Sequence, residues 1–401
     1  MESFGILLIC FENIKNWFKM CKKGETSMKT LIIVIDSLGV GEAPDAHLFK
    51  DEGSNTLGHI IESTGVNLKN LQELGIFNID GLKHLNLQVK NPIANYGKMQ
   101  ELSMGKDTTT GHFEMMGCVL KQAFPTFPNG FPQEVISKLE NAWGVGILGN
   151  CVASGTEIIE RLGKQHIETK KPIVYTSADS VLQIACHEEV YSVSELYKMC
   201  EQAREIMQGE WGVSRVIARP FITENGSFKR TQNRHDFALV PPQRIVLEDL
   251  KDANLDTIGI GKIGDIFSMV GLKDNLVAKN NSQGLEQIKY ALKQNYNGVI
   301  FANLVDTDML YGHRNDVEGY ANALKEIDNN LPEIISLMNM EDTLIITGDH
   351  GCDPTTASTD HSREYTPILI YSKAKMGGKN LGTIKGFNYI AEFLKKQFLT
   401  K

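Results

Sequence analysis

An α/β fold with a mostly parallel sheet, sandwiched by helices, is predicted by three features of this chain. Several short runs are apolar throughout and rich in β-branched residues, helix-period segments alternate with them, and aspartates stand at or just past the ends of the runs. Runs without polar alternation are the mark of strands buried on both faces. Alternating such strands with helices implies parallel pairing through crossovers. That architecture binds its ligands at the carboxyl ends of the strands, which is where the aspartates lie.

The first run is TLIIVID at 30–36, ending on Asp36. LDTIGIGK at 255–262 is a further candidate, and NGVIFANLVD at 297–306, DTLIITGD at 342–349 and TPILIYS at 366–372 read the same way. Residues 316–338 carry apolar side chains at three- and four-residue spacing, the pattern of an amphipathic helix. The middle of the chain differs, with the turn-rich AFPTFPNGFP, a helical pattern at 193–208, the run SRVIARPFI and the basic stretch FKRTQNRHD. The expected organisation is therefore a core of residues 28–120 and 240–401, interrupted by a smaller α+β cap domain at 121–239. A chain of 401 residues suits two domains. Residues 1–27 read as an extension outside the fold, with Met28 opening the first buried strand.

Charge and cysteine usage narrow the function. A net charge of −8 argues against nucleic acid as the main partner, because phosphate backbones require basic patches. Seven cysteines, odd in number and with no CxxC pair, fit a reducing compartment, so the expected location is cytoplasmic. The apolar stretch near the amino terminus is too short to span a bilayer, and no membrane partner is expected.

The chemistry concentrates in three clusters: Asp36, then Asp308 with His313, then Asp349, His350 and His361. Alone, Asp36 reads more readily as a turn-capping residue than as a metal ligand. Asp308 and His313 are five apart and need a loop or helix start between them to converge. The adjacent donors Asp349 and His350 at a strand end, followed by a glycine that lets the backbone turn, point to a metal. Carboxylate and imidazole suit manganese, zinc or magnesium, and six such donors are the number for two ions. A fourth segment, GKDTTTGHFEMMG, sets three threonines behind an aspartate in the pattern of a helix start. A hydroxyl there needs a metal or base to become a nucleophile, and the free N–H groups of a helix start favour phosphate.

These segments, with DSLGVGEAPDA, ASGTEII, YTSADSVLQIACHEE, RVIARPF, NRHDFAL and TDHSREYTPIL, resemble those of bacterial phosphopentomutases, in the alkaline phosphatase superfamily, over nearly the full length from Met28. The resemblance implies an alkaline phosphatase-like core and interconversion of the 1- and 5-phosphates of ribose and deoxyribose. It implies two manganese ions, a phosphorylated Thr108, a 1,5-bisphosphate intermediate, and ribose or glucose bisphosphate as activator. Asp36, Asp349 and His350 would hold one ion, completed by the phosphothreonine; Asp308, His313 and His361 would hold the other, with Asp306 a nearby non-ligand. A second phosphate needs cations: the candidates are Lys262, Arg215, Arg219, Arg230 and Arg234, with His235, surface ion pairs being the alternative for each arginine. Ser177 and Asp179 resemble family residues facing the substrate, and could equally form a turn. Cys352 departs from the pattern, since relatives commonly carry asparagine after DHG. The competing functions are a metal-dependent phosphatase and a phosphoglycerate mutase-like enzyme on the same scaffold.

Overall fold

The computed structural model describes residues 27–177 and 179–400, so the expectation for residues 1–27 falls outside it save for the last of them. Among the described residues fourteen strands follow in chain order. They are β1 (Lys29–Ile35), β2 (Asn95–Gln100), β3 (Leu148–Val152), β4 (Ile173–Thr176), β5 (Val181–His187), β6 (Arg215–Glu224) and β7 (Ser227–Arg230). The remainder are β8 (His235–Ala238), β9 (Asp256–Ile260), β10 (Asp274–Leu276), β11 (Gly298–Leu304), β12 (Thr343–Thr347), β13 (Thr366–Ser372) and β14 (Asn380–Lys385).

Eight strands form one sheet in the order β10-β9-β11-β1-β12-β13-β2-β14. Its first five strands are all parallel, as expected; β13 then runs antiparallel to both β12 and β2. Side-chain alternation on a buried strand feeds two separate cores. Leu31, Ile33 and Ile35 of β1 join Ile300 and Leu304 of β11 under the helices Thr56–Thr64, Asn281–Lys293 and Val317–Leu337. Ile32 and Val34 of the same strand face Phe301, Phe113 and Leu250 on the other side. Both faces are thus dry, which is why these strands read as unbroken apolar runs.

Residues 148–238 build a second sheet, in the order β3-β4-β5-β6-β7 with β8 paired to β6. It carries its own apolar clusters, with Val174, Leu182, Ile184 and Val216 on one face and Ile158, Tyr175 and Phe221 on the other. The basic stretch expected to end this region is a pair of strands, β7 and β8, both antiparallel to β6. The second sheet touches the segment between β9 and β10, where the Ser268 hydroxyl donates to the Ala238 carbonyl of β8 at 3.2 Å. Among the described residues no helix is long and apolar enough to cross a membrane.

Candidate metal centre

Topology brings the acids together. β11, β1 and β12 are adjacent and parallel, so the residues just past their carboxyl ends, Asp308, Asp36 and Asp349, share one edge. Asp36 and Asp349 are fully buried, and Asp308 is 6% exposed. After Asp36 the chain turns sharply, with Ser37 in the left-handed region at φ 66°. That conformation is costly for a side chain with a Cβ, and the surroundings hold it in place. The Ser37 N–H donates to Asp349 Oδ1 at 3.0 Å, and the Tyr320 hydroxyl donates to the Ser37 carbonyl at 2.9 Å. Between Asp308 and His313 a π-helical turn, Thr307–Tyr311, runs into a 3₁₀ turn, Gly312–Arg314. This supplies the helical connection that the five-residue spacing demands, and such turns gather at functional sites.

The imidazoles converge from two connections, His313 from the one after β11 and both His350 and His361 from the one between β12 and β13. His350 Nε2 lies 3.4 Å from Asp36 Oδ1 and 3.5 Å from Asp349 Oδ2. Asp308 stands 3.4 Å from His313 Nε2 and 3.3 Å from His361 Nε2, and the two Nε2 atoms are 3.1 Å apart. His361 reaches the centre because the backbone of Gly351 exchanges two hydrogen bonds with that of Ser362, at 3.1 and 2.8 Å. His313 Nδ1 donates to the Thr359 carbonyl at 2.7 Å and His350 Nδ1 to the Gly351 carbonyl at 3.0 Å, which leaves each Nε2 free to ligate.

The donors fit divalent cations. Asp36 Oδ1, Asp349 Oδ2 and Asp308 Oδ1 are buried without a hydrogen-bond partner among the described residues, an arrangement too costly for charged oxygens unless a cation faces them. Donor atoms of Asp36, Asp349 and His350 lie within 4.8 Å of one another, as do those of Asp308, His350 and His361. Left without cations, burial and then the charges of Asp349 and Asp308 push the Asp36 carboxyl up. Burial acts on Asp308 in the same direction, yet His361 and His313 hold it well below the ordinary range. A hydrogen bond to Asp308 lifts His313 to about 9. His350 is also held well above its ordinary value: burial lowers it, but Asp349, Asp36 and Asp308 outweigh burial. The cluster thus gathers positive charge as protons where cations are absent.

Of the three threonines, Thr108 faces this centre. It opens the helix Thr108–Met115, and its hydroxyl lies 3.2 Å from His350 Nε2. Thr110 is committed elsewhere, its hydroxyl donating to Asp107 Oδ2 at 2.6 Å while its N–H donates to Asp107 Oδ1. Thr109 is buried. The helix start sits directly on the metal loop: a Cβ at Gly111 would overlap the Asp349 carbonyl oxygen.

The other candidates fall in two places. Lys262 follows β9, next to β11 in the sheet, and its charge draws down the Asp306 carboxyl, which burial raises. Asp306 Oδ2 accepts from the Asn281 N–H at 2.8 Å, outside the donor groups. The remaining cations belong to the second sheet. Asp236 bonds Arg234 twice, at 2.8 and 2.7 Å, and pairs with Arg215 at 3.5 Å, while Arg219 Nε donates to Gln183 at 2.9 Å. His235 opens β8 and stacks on Tyr197. Arg219, Arg230 and Arg234 surround the buried Tyr175 hydroxyl, which has no hydrogen-bond partner among the described residues. Ser177 and Asp179 lie on the loop between β4 and β5, where the Asp179 carbonyl accepts from the Val181 N–H. Cys352 is buried with its sulfur within 4.8 Å of donor atoms of Asp308 and His313, and burial pushes its thiol up.

Sequence reading missed Asn303, His112 and Arg363. Asn303 is a lone amide in an otherwise apolar strand, and that break in pattern was the available signal. Arg363 is 2% exposed; it bonds Asp45, Glu101 and the Gly105 carbonyl, tying the His361 segment to the loop before Thr108.

Comparison with known proteins agrees with this geometry. The family model described as the metalloenzyme superfamily matches residues 28–401, and divalent metal use follows from that family and these donors. A phosphopentomutase of Caldanaerobacter subterraneus subsp. tengcongensis is 53% identical over 370 residues, covering 92% of this chain and 94% of its own. One from Desulfitobacterium hafniense is 52% identical over 371 residues, covering 91% and 95%. Among solved structures, the PH0037 protein of Pyrococcus horikoshii covers 93% of this chain and 98% of its own, with a TM-score of 0.47 at 15% identity. Alkaline phosphatase of the Antarctic bacterium TAB5 covers 94% and 99%, with a TM-score of 0.37 at 13% identity. On the strength of the sequence relatives and the matched family, this chain belongs to the phosphopentomutases of the metalloenzyme superfamily.

Proposed function

We propose that this enzyme interconverts the 1-phosphates and 5-phosphates of ribose and deoxyribose through a phosphoryl group carried on Thr108. The observation that carries the reading is the Thr108 hydroxyl, at a helix start and 3.2 Å from His350 in a cluster of six buried or half-buried Asp and His donors. Asp36, Asp349 and His350 are assigned to one cation and Asp308, His313 and His361 to the other. Manganese suits this carboxylate and imidazole set. Bound, two such cations neutralise phosphoryl oxygens and lower the pKa of a coordinated hydroxyl.

The chain's own groups then divide the work. Thr108 Oγ1 holds the phosphoryl group, and the free N–H groups of the helix start favour its negative charge. Transfer breaks the Thr108 oxygen–phosphorus bond as a bond forms to the free hydroxyl of the pentose monophosphate, whose proton ends on the departing Thr108 oxygen. The product is a 1,5-bisphosphate. It turns over within the site and returns its other phosphate to Thr108. Lys262 and the cations around Tyr175 and Asp236 supply contacts for the phosphate that is not reacting. Ser177 and Asp179 are assigned to the substrate-facing loop of the second sheet. Residues 121–239 act as a cap whose closure excludes water, without which a mutase becomes a phosphatase.

Ribose or glucose bisphosphate supplies the first phosphoryl group to Thr108. The net charge of −8 supports small phosphosugars rather than nucleic acid as partners, and the cysteine pattern supports a cytoplasmic location. The test follows the reaction with manganese from ribose 5-phosphate, measuring isomer formed against free phosphate released. Isomer in large excess is expected. Stoichiometric phosphate release with no isomer would assign the scaffold to a phosphatase.

A further inference from the structure

The histidine of the threonine motif, His112, has no part in the reading above, yet it is fully buried between the nucleophile and the metal ligands. Its Nδ1 lies 2.8 Å from the Thr108 carbonyl oxygen and 3.3 Å from Asp349 Oδ2. Its Nε2 lies 3.2 Å from Asn303 Nδ2, and the same Nδ2 lies 3.1 Å from Asp36 Oδ2. Asn303 is 2% exposed, and its Oδ1 has no partner among the described residues.

The protons in this chain of contacts are determined by its end. In the ionised form that holds a cation, Asp36 accepts only, so the Asn303 amide must present its NH₂ there; the reverse orientation would set the amide oxygen against a carboxylate. The second hydrogen of that NH₂ then points at His112 Nε2, which must accept it and therefore carries no proton. The proton of a neutral imidazole is left on Nδ1, where it is donated to the Thr108 carbonyl. One relay of oriented hydrogen bonds thus joins Asp36, Asn303, His112 and the backbone of residue 108, and Asp349 Oδ2 lies beside it, 3.3 Å from the imidazole.

We infer that His112 and Asn303 are positioning residues that lock the nucleophile's helix start to the first cation's two carboxylates, with His112 held as its Nδ1–H tautomer. The part concerning Thr108 rests on the phosphothreonine reading; the part concerning Asn303 and Asp36 does not. Partners of this kind orient metal-binding carboxylates, and their loss costs roughly 10–100-fold in affinity or activity.

The test uses the full chain carrying His112→Leu, His112→Asn, Asn303→Leu or Asn303→Ala, with Thr108→Val as control. Turnover of ribose 5-phosphate gives kcat and KM, and electron paramagnetic resonance of free manganese gives site affinities. An asparagine amide sits where imidazole Nδ1 does and can donate to the Thr108 carbonyl. His112→Leu is therefore expected to lower kcat about 10–100-fold with KM little changed, and His112→Asn to recover most of that loss. Asn303→Leu, or Asn303→Ala should the leucine variant not fold, is expected to weaken one manganese site of two by about 10–100-fold. His112→Asn as impaired as His112→Leu would reduce the histidine to packing and overturn its role. Should His112→Leu not fold, a tenfold loss in His112→Asn against the parent overturns it instead. Two unweakened manganese sites in the Asn303 variants overturn theirs. Full activity in Thr108→Val removes the nucleophile from the scheme, while the manganese result for Asn303 stands or falls by itself.

Discussion

Lowering the pH should weaken manganese binding far more steeply than an ordinary histidine site allows. The His313 imidazole, bonded to Asp308, titrates at about 9, and a cation can take its Nε2 only once the proton has left. With that value, the neutral fraction falls from about one in ten at pH 8 to about one in a thousand at pH 6, a change of about a hundredfold. An imidazole at its ordinary value of about 6.5 would change only about fourfold over the same range. His350, held well above its ordinary value by Asp349 and Asp36 despite burial, steepens the dependence further. The sign follows from the raised pKa: protons are bound in the folded, metal-free chain and must be displaced, so affinity rises with pH. The same shift stabilises the metal-free chain fully below pH of about 6.5, and that contribution is lost as pH rises through about 9. Calorimetric or paramagnetic titration with manganese at pH 6, 7 and 8 measures the slope. A change of fourfold or less would refute the charge coupling derived from Asp308 and the histidines.

Two further outcomes are expected. Gly111→Ala drives a methyl group into the Asp349 carbonyl, backbone against backbone, and should destabilise the fold by roughly 1–3 kcal/mol while weakening manganese binding; thermal melts with and without manganese check both effects. Arg363→Met leaves Glu101 buried without its cationic partner, a change expected to cost about 3–5 kcal/mol in denaturant unfolding, because the two side chains are each 2% exposed.

Much of the fold was legible because buried parallel strands announce themselves. β1, β9, β11, β12 and β13 were all marked by apolar runs, and the helix expected at 316–338 spans Val317–Leu337. β2 and β14 were not, since NYGKMQ and NLGTIK mix polar and apolar residues at the far edge of the sheet. Nor does an apolar run encode direction, so the antiparallel course of β13 was invisible. The candidate aspartates stood out because each follows a strand, but the adjacency of β11, β1 and β12 that makes them converge is a property of the sheet order. His112 and Asn303 stayed hidden for a related reason: 191 residues separate them, and only the packing of one helix start against one strand gives them a shared purpose.

The proposed mechanism turns on where the phosphoryl group is carried. Manganese-loaded enzyme incubated with isotope-labelled glucose bisphosphate, digested and sequenced by mass spectrometry, should carry one labelled phosphate, on Thr108, and the label should pass into the pentose phosphates when ribose 5-phosphate is added. A phosphate found on another residue, or an enzyme that turns over ribose 5-phosphate without ever carrying one, would contradict it.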